Sequence, residues 1–324
     1  MSNPLLLYYK FDNKGGANLV LDKNISSFFK DQYFSWIHLD ANDSKSVKNF
    51  FINQDINIDD IVLNAFLAEE TRPRMEKIGD SALIILRGVN LNENELPEDM
   101  VSIRVWITGN KVISARYRKL KAIGDIEDNI NLKKGPKNVG DFIYMLTNAL
   151  FARIEPILLK LDNETDLVEE KILDNPDIKL RESIISIRKK AIKFRRYMAP
   201  QREVISQLCV ANFTWLNDLH LRHLQESYNN MIKYVEDLDA IRERSQIVKD
   251  EIANFLTDRM NKNLYILSVL TAIFLPLGFL TGLMGVNIAG MPGTQDPHAF
   301  WFFSFILLII INIQIWIFKK LKWF

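Results

Sequence analysis

The stretch NLYILSVLTAIFLPLGFLTGLMG, residues 263–285, contains no charged side chain and decides the fold class of this chain. About twenty apolar residues let a helix cross the hydrocarbon core of a bilayer, and this stretch meets that length. A second run, AFWFFSFILLIIINIQIWIF, covers residues 299–318. Because only residues 286–298 separate the two runs, they are predicted to form an antiparallel transmembrane hairpin. Helices buried in a soluble core are usually shorter and carry some polar residues, so that alternative is the weaker one.

The basic residues around these spans indicate their orientation. The connecting loop has no lysine or arginine, whereas basic residues precede span one and follow span two: Arg259, Lys262, Lys319, Lys320 and Lys322. By the positive-inside rule, the loop lies outside and both chain ends are cytoplasmic. The N-terminal residues lack the basic region and the long apolar run of a signal peptide, which agrees with a cytoplasmic N-terminal part. We expect a multi-pass protein of the plasma (inner) membrane, in contact with the lipid bilayer.

The composition limits the remaining possibilities. The chain has 324 residues and a formal net charge of +1, a length that permits two domains. Charged residues make up 25% of the chain, but residues 263–318 contain only Asp296. The single cysteine, Cys209, excludes an internal disulfide and a cysteine-rich zinc site, and a small buried hydrophobic role is expected for it.

Residues 1–140 are predicted to form an α/β domain. The segments LLLYYKF, SWIHL, SALIILRGVNL and MVSIRVWITGNKVISARY are rich in β-branched and aromatic residues, which is typical of strands. Gly109-Asn110 separates two apolar strands and predicts a two-residue hairpin, so part of the sheet is mixed or antiparallel. Helical segments are expected at residues 46–53 and 59–70, between strands.

Residues 141–262 are predicted to be entirely helical. One helix is expected over 141–173, and a second over about 178–209 that Pro200 kinks or breaks. A third begins near Asn217 and meets no proline or glycine before Pro276; continued to residue 283, it is about 100 Å long at 1.5 Å per residue. Its apolar residues alternate in spacing between three and four, which favours packing on other helices, including copies of itself: Leu221, Leu224, Tyr228, Met231, Val235 and Leu238.

Two charged runs lie in these helices. Residues 162–177 are acidic and residues 188–196 are basic. The basic run has few interleaved aromatic residues and acidic neighbours, so a solvated face or interhelical pairing is favoured over nucleic-acid binding. The acidic run either draws cations toward a membrane pore or forms a plain solvated helix hairpin.

Span one carries a stripe of small, hydroxyl and leucine residues at the same three-four spacing: Asn261, Leu264, Ser268, Thr271, Leu275, Gly278 and Gly282. Ile266, Phe274 and Phe279 lie off this stripe. Small residues on one face let helices pack closely. They also suit the wall of a water-filled path, in which Leu264 and Leu275 would be apolar constrictions. The stripe alone leaves both interpretations open.

The end of span one reads Gly285-Val286-Asn287. Gly285 relaxes the helix end, and Asn287 offers a neutral amide oxygen. A ring of such oxygens suits a hydrated divalent cation that loses its water reluctantly. A glycine followed by asparagine also ends helices without any such role. Its place at the end of the first of two C-terminal spans favours the pore interpretation.

With these residues the sequence resembles the CorA superfamily of divalent-cation transporters, and within it the ZntB branch. The similarity runs over most of the chain. It is carried by TRPRMEKIGDSALIILRGVNLNENELPEDMVSIRVWITGNKVISARYRKL (71–120), by FLPLGFLTGLMGVNIAGMPG (274–293) and by the basic tail KKLKWF. The resemblance implies a homopentamer with five span-one helices around one pore. It also implies a funnel-shaped cytoplasmic domain with α/β/α layers above a stalk of long helices.

The departures from the family pattern bear on the cation. Val286 replaces the usual methionine, and the loop lacks the acid that magnesium channels of the family often place after the asparagine. Asp296 is the only loop carboxylate and is a candidate at the pore entrance. These differences favour zinc or a broader range of divalent cations, with the cation as transported substrate and no cofactor. A magnesium, cobalt or nickel channel is the alternative. Lys319, Lys320 and Lys322 are expected to form a cytoplasmic basic ring.

The four histidines, His38, His220, His223 and His298, are candidate zinc ligands. His220 and His223 are three residues apart on one helix face, close to Asp218 and Glu226. A surface pair without metal is favoured for them. His298 lies in the outer loop, where it needs no function.

No enzyme motif is present in the sequence. DNKGGANL has adjacent glycines but lacks the lysine and hydroxyl residue of a phosphate-binding loop, and no nucleophile set or metalloprotease motif occurs. The weaker alternative to a transporter is therefore a membrane-anchored structural protein.

Overall fold

The computed structural model describes residues 3–21, 25, 28–29, 32–54, 56, 58–69, 71–174, 178–286, 291, 293 and 295–320. The chain divides into two compact units, Met1–Asp250 (unit 1) and Glu251–Phe324 (unit 2). The predicted domain boundaries at 140 and 262 stay predictions.

Along the chain, the described elements form a mixed α/β block up to Arg116 and a helical block from Lys121 onward. The strands are β1 (Leu5–Phe11), β2 (Ala17–Leu19), β3 (Ser35–Asp40), β4 (Arg74–Ile78), β5 (Ser81–Gly88), β6 (Val101–Thr108) and β7 (Lys111–Arg116). The helices are α1 (Ser44–Asn53), α2 (Asp60–Leu67), α3 (Lys121–Asn131), α4 (Val139–Phe151), α5 (Glu155–Asp174), α6 (Ile178–Val210), α7 (Asp218–Met284) and α8 (Ala299–Lys320).

The seven strands form one mixed sheet in the order β2-β1-β3-β7-β6-β5-β4. β3 and β7 pair in parallel, and the other neighbours are antiparallel. The predicted hairpin at Gly109-Asn110 is confirmed, since Thr108 pairs with Lys111 across it. Gly109 has φ 56°, a left-handed value that glycine adopts without steric cost. The short edge strands β2 and β4 were not predicted, because both are largely exposed and show no apolar alternation.

Helices cover both faces of this sheet. On one face Ile37 and Leu39 share an apolar core with Phe51 of α1 and Phe66 of α2. Neighbouring residues of a strand point to opposite faces. Trp36 accordingly contacts Phe142 of α4, at 5.0 Å between ring centroids. The cytoplasmic part predicted from the sequence is thus an α/β sheet domain, with helical layers on both sides.

The helical block departs from prediction at one place. Residues 141–173 do not form one helix, because α4 ends at Phe151 and α5 begins at Glu155. Pro156 favours this break, because it lacks a backbone N–H and is best accommodated in the first turn of a helix, where it lies in α5. Pro200 does not end α6, which continues to Val210. α7 is continuous from Asp218 to Met284, as the sequence predicts.

The predicted packing face of α7 is confirmed within unit 1. Leu224, Met231 and Leu238 are fully buried, Val235 is 5% exposed, and the other two predicted residues, Leu221 and Tyr228, are half-buried. The side chains between them carry the charges, so α7 is amphipathic over this segment.

A polar network is buried in the sheet on the α4 side. His38 is fully buried, and its Nδ1 lies 2.7 Å from Oγ of Ser114 on the paired strand β7. Trp36 Nε1 donates to the same oxygen at 2.8 Å. Burial, together with the charge of Arg116, lowers the pKa of His38 to about 3. His38 is therefore a neutral structural residue, and the prediction that it is a candidate zinc ligand is not supported.

The buried His38 predicts an acid-sensitive unit 1. The unfolded chain takes up a proton on this histidine below its ordinary pKa of 6.5, whereas the folded chain does not until about 3. Stability is therefore lost as pH falls from 6.5 toward 3, by up to about 1.4 kcal/mol per pH unit. Thermal or denaturant unfolding of His38→Asn at several pH values should show a shallower loss than the parent chain. His298→Asn, an exposed histidine outside unit 1, serves as the control; equal slopes in all three proteins would refute the prediction.

Candidate functional site

Among the described residues, three helical stretches are long and apolar enough to cross a membrane. Two belong to α7 and α8, where 6% and 0% of the most apolar window is buried. In the third, Val139–Ile172, 44% of that window is buried within the protein, and the turn between α4 and α5 interrupts the stretch. The α7 and α8 stretches are uninterrupted and almost entirely unburied, so they remain the candidate spans, as predicted.

Within unit 2, one face of the α7 span is partly covered. Val269, Ala272, Ile273, Leu277 and Leu280 are its buried or half-buried residues. Gln314 of α8 lies on this side, and its Nε2 donates to the backbone oxygen of Ala272 at 3.4 Å. The two spans therefore contact each other as a helix pair.

The seven stripe residues predicted from the sequence lie on the other side of α7. All seven are exposed: Asn261, Leu264, Ser268, Thr271, Leu275, Gly278 and Gly282. At 3.6 residues per turn they are centred about half a turn from the face that α8 covers. A Cβ added at Gly278 or Gly282 meets nothing within 4 Å. This face is thus open in the single chain.

The polar groups of the open face are satisfied within α7. Ser268 Oγ donates to the backbone oxygen of Leu264 at 2.8 Å, and Thr271 Oγ1 donates to that of Leu267 at 2.8 Å. Such bonds to the preceding turn lower the desolvation cost of placing hydroxyl residues in a membrane helix. A shallow groove of about 520 Å³ runs along Thr271, Leu275 and Gly278 and is flanked by Phe274 and Phe279. The two phenylalanines lie beside the stripe.

The predicted outer mouth is described in part. α7 ends at Met284, and the N–H of Gly285 donates to the backbone oxygens of Thr281 at 3.0 Å and Gly282 at 3.1 Å. Gly285 and Val286 are exposed. Asn287 lies outside the described residues, so its role at the mouth stays a prediction.

The other predicted site residues flank α8. Asp296 Oδ1 accepts from the backbone N–H of His298 at 2.8 Å, just before the helix begins. Lys319 and Lys320 end α8, and Lys320 Nζ lies 5.2 Å from the centre of the Trp316 ring. Lys322 lies outside the described residues. The positions agree with a loop at one end of α8 and basic residues at the other.

His220 and His223 are not a surface pair. His220 is only 3% exposed, and its Nε2 lies 2.8 Å from Asp141 Oδ1 on α4. Its Nδ1 accepts from the N–H of Asn217 at 3.2 Å, so protein groups occupy both ring nitrogens. His223 stacks on Tyr144 with ring centroids 4.2 Å apart. No group of three metal-binding side chains occurs in the part of the chain that the structure describes.

Residues of both charged runs form ion pairs between helices, as one of the two interpretations of the basic run predicted. Arg244 of α7 binds three carboxylates of α5: Asp162 at 2.9 Å, Asp166, and Glu169 at 2.6 Å. Hydrogen bonds that Arg244 donates to Glu169 and Asp166 raise the pKa of its guanidinium group above the ordinary value. Arg195 of the basic run binds Asp239 at 2.6 Å. Much of the acidic run is therefore neutralised by arginine.

Sequence reasoning missed Gln314. A glutamine in an otherwise apolar span was the available signal, since a polar side chain in a membrane helix seeks a partner.

Comparison with known proteins finds a family model and relatives that are all named as metal-cation transporters. A family model described as CorA-like Mg²⁺ transporter protein matches residues 31–320. The zinc transport protein ZntB of Pectobacterium carotovorum subsp. carotovorum (strain PC1) is 35% identical, over 97% of this chain and 94% of its own. The divalent cation transporter CmaX of Pseudomonas aeruginosa is 32% identical, over 98% of this chain and 96% of its own.

Solved structures agree with these relatives. The structure of full-length CmaX superposes with a TM-score of 0.85 at 32% identity, covering 100% of this chain and 99% of that chain. The complete CorA magnesium transporter from Methanocaldococcus jannaschii gives a TM-score of 0.78 at 21% identity, with 100% of both chains covered. At that identity the second likeness concerns the fold alone.

The packing around His220 makes a specific prediction for Gly140. A Cβ at Gly140 would overlap the His220 ring and lie 2.7 Å from the backbone oxygen of Trp215. Because that backbone cannot move cheaply, Gly140→Ala should destabilise unit 1 by about 1–3 kcal/mol in denaturant unfolding. Gly124→Ala is the matched control: its Cβ meets nothing within 4 Å in α3, and it should stabilise by about 0.5–1 kcal/mol. Similar effects of the two substitutions would contradict the packing described.

Proposed function

Because the chain belongs to the CorA-like Mg²⁺ transporter family, we propose that it transports divalent metal cations across a membrane and is not an enzyme. Zinc is the proposed cation, and magnesium, cobalt or nickel are the alternatives. The observation that carries this proposal is the 35% identity to a zinc transport protein over 97% of the chain. The two apolar helices α7 and α8 support it, since they provide the membrane hairpin that such transport requires.

The proposed pore is lined by span one of five identical subunits. The seven stripe residues (Asn261, Leu264, Ser268, Thr271, Leu275, Gly278 and Gly282) form its wall. What supports this arrangement is that their face of α7 is open while α8 covers the opposite side. Self-association would cover the open face, and the two glycines allow close approach. Leu264 and Leu275 provide apolar constrictions that close when water leaves them.

The proposed outer mouth consists of Gly285, Val286 and Asn287. Five amide oxygens from Asn287 would contact a cation through its hydration shell, so that the ion is selected before it loses water. Asp296 and His298, close to this end of α8, are proposed to raise the local concentration of cations by charge and by imidazole coordination. Their common loop position supports this assignment.

The proposed location is the plasma (inner) membrane, with both chain ends cytoplasmic. Lys319, Lys320 and Lys322 then form a basic ring at the cytoplasmic end of span two. The absence of lysine and arginine from residues 286–298 supports this orientation.

Transport and the role of Asn287 can be tested together in liposomes. We expect uptake of zinc to exceed uptake of magnesium, and Asn287→Ala to reduce zinc uptake by about tenfold or more, because it removes the amide oxygens at the mouth. Asn312→Ala is the matched control: its amide donates to Leu308 within α8, away from the proposed pore wall, and flux should be retained. A measurement with and without an inward proton gradient separates coupled from passive transport.

Each outcome of the flux experiment bears on a different part of the proposal. Magnesium uptake above zinc uptake would favour the magnesium alternative. Unchanged zinc uptake in Asn287→Ala would remove Asn287 from the mechanism. A monomeric mass in detergent would contradict the pentameric pore.

Orientation is tested by single-cysteine labelling in intact cells. In a Cys209→Ser background, Gln295→Cys should react with a membrane-impermeant maleimide from outside. Lys320→Cys should react only after the cells are broken, because it lies at the opposite end of α8. The reverse pattern would overturn the proposed topology, and labelling of both without lysis would place both sites outside.

A further inference from the structure

Unit 1 contains a polar cavity that has no part in the proposed pore. Its volume is about 780 Å³, within the range of small-molecule sites. Strands β5 and β6, the segment before β4 and helix α6 line it through Thr71, Arg87, Ser102 and Tyr197. A space of this size and polarity holds either water or a polar ligand.

Arg87 is fixed in the wall of this cavity. Its Nε and Nη2 donate to the backbone oxygen of Thr71 at 3.0 and 2.7 Å, and its Nη1 donates to that of Met100 at 2.7 Å. The guanidinium group lies 4.2 Å from the centre of the Tyr197 ring. A guanidinium group held by carbonyl oxygens and an aromatic face keeps its positive charge at a fixed position.

A second arginine lies directly behind the wall. Arg104 is fully buried, and its Nη1 donates at 2.7 Å to Oγ of Ser102, which lines the cavity. Its Nη2 donates to the backbone oxygens of Ala68 and Glu69, and its guanidinium carbon lies 4.4 Å from the centre of the Tyr117 ring. In the described part of the chain its hydrogen-bond acceptors are all neutral, and no carboxylate forms a salt bridge with it.

The buried charge of Arg104 is incompletely compensated. Burial is the main cause that lowers its pKa, to about 10, so the group remains a cation at neutral pH. Its Nε has no hydrogen-bond partner among the described residues, and neither has Oγ1 of Thr71, a 9% exposed residue that lines the cavity. A buried cation without a counter-ion costs free energy, which an anion at short distance would offset.

The rim adds further positive charge. Arg72, Arg118 and Arg196 line the cavity together with Arg87, whereas Glu69 and Asp99 are its carboxylates among the described residues. Asp99 already binds Lys193 at 2.9 Å, and Arg118 binds Glu95 at 2.7 Å. Arg72 and Arg196 are exposed, so their guanidinium groups can reach a ligand.

We propose that this cavity binds a phosphate-bearing small anion. Planar guanidinium groups match phosphate oxygens in pairs, and several of them around one cavity favour an anion with more than one phosphate group. The site is formed by unit 1 alone, and the proposal does not depend on which cation the protein transports.

Calorimetric titration of the full chain in detergent, without divalent cations, tests this site. The probes are potassium phosphate, potassium pyrophosphate and potassium ATP, with potassium chloride at equal ionic strength. We expect pyrophosphate or ATP to bind, and the double substitution Arg72→Gln/Arg196→Gln to weaken binding by at least about tenfold. Arg181→Gln, an exposed arginine of α6 outside the cavity, is the matched control and should bind as the parent chain does.

A second variant probes the buried charge. Pyrophosphate or ATP should raise the unfolding temperature of the parent chain. In Arg104→Met the apolar side chain packs against Tyr117 without a cation, so neither anion should raise the unfolding temperature of this variant. Binding of ATP without pyrophosphate would assign a nucleotide, and binding of both would show that phosphate groups suffice. No binding, an equal effect of chloride, or an equal loss in Arg181→Gln would overturn the proposal.

Discussion

The structure depends on the requirement that backbone polar groups within hydrocarbon be hydrogen-bonded inside the protein. The α7 span is helical from residue 263 to Met284 and keeps its hydroxyl groups bonded to the preceding turn, but Pro276 within it has no N–H to donate to the backbone oxygen of Ala272. Gln314 of α8 donates to that oxygen, so α8 completes the backbone hydrogen bonding of α7. The faces of α7 differ in their side chains, and one face carries the small and hydroxyl residues.

The pairing of α7 with α8 divides the span into two kinds of surface. Gln314 bonds to Ala272, and half-buried aliphatic residues accompany this contact. The remaining face stays open in the single chain. Lipid would tolerate the leucines there, but the glycines and Asn261 gain more from another protein surface. The proposed association of copies therefore follows from the same division.

Charge is handled differently in the two units. In unit 2, residues 263–318 carry a single charged side chain, Asp296, between Lys262 and Lys319. In unit 1, the acidic helix α5 forms ion pairs with Arg244 and Lys190. Arg104 stands apart, because its positive charge is buried in a β-sheet with neutral acceptors. Protein interiors rarely keep such a charge without a compensating ion. This exception, more than the ion pairs, indicates a ligand site in unit 1.

The sequence by itself determined the features that rest on local patterns. Two long uncharged stretches determined the candidate spans, and the Gly109-Asn110 turn determined the β6-β7 hairpin. The alternating spacing of three and four residues determined the packing face of α7. Pro156 was an available signal for the break between α4 and α5, but the apolar residues on either side of it concealed the break.

Only the tertiary structure decided the contacts between distant segments. His220 looked like half of a surface pair, yet it is buried because Gly140, eighty residues earlier, leaves room for its ring. Arg87 and Arg104 are single charges within apolar strands, and only the sheet register and α6 bring their surroundings together at one cavity. Periodicity reports which face of an element is apolar. It carries no information on which partner covers that face, because the partner is selected by packing across the whole chain.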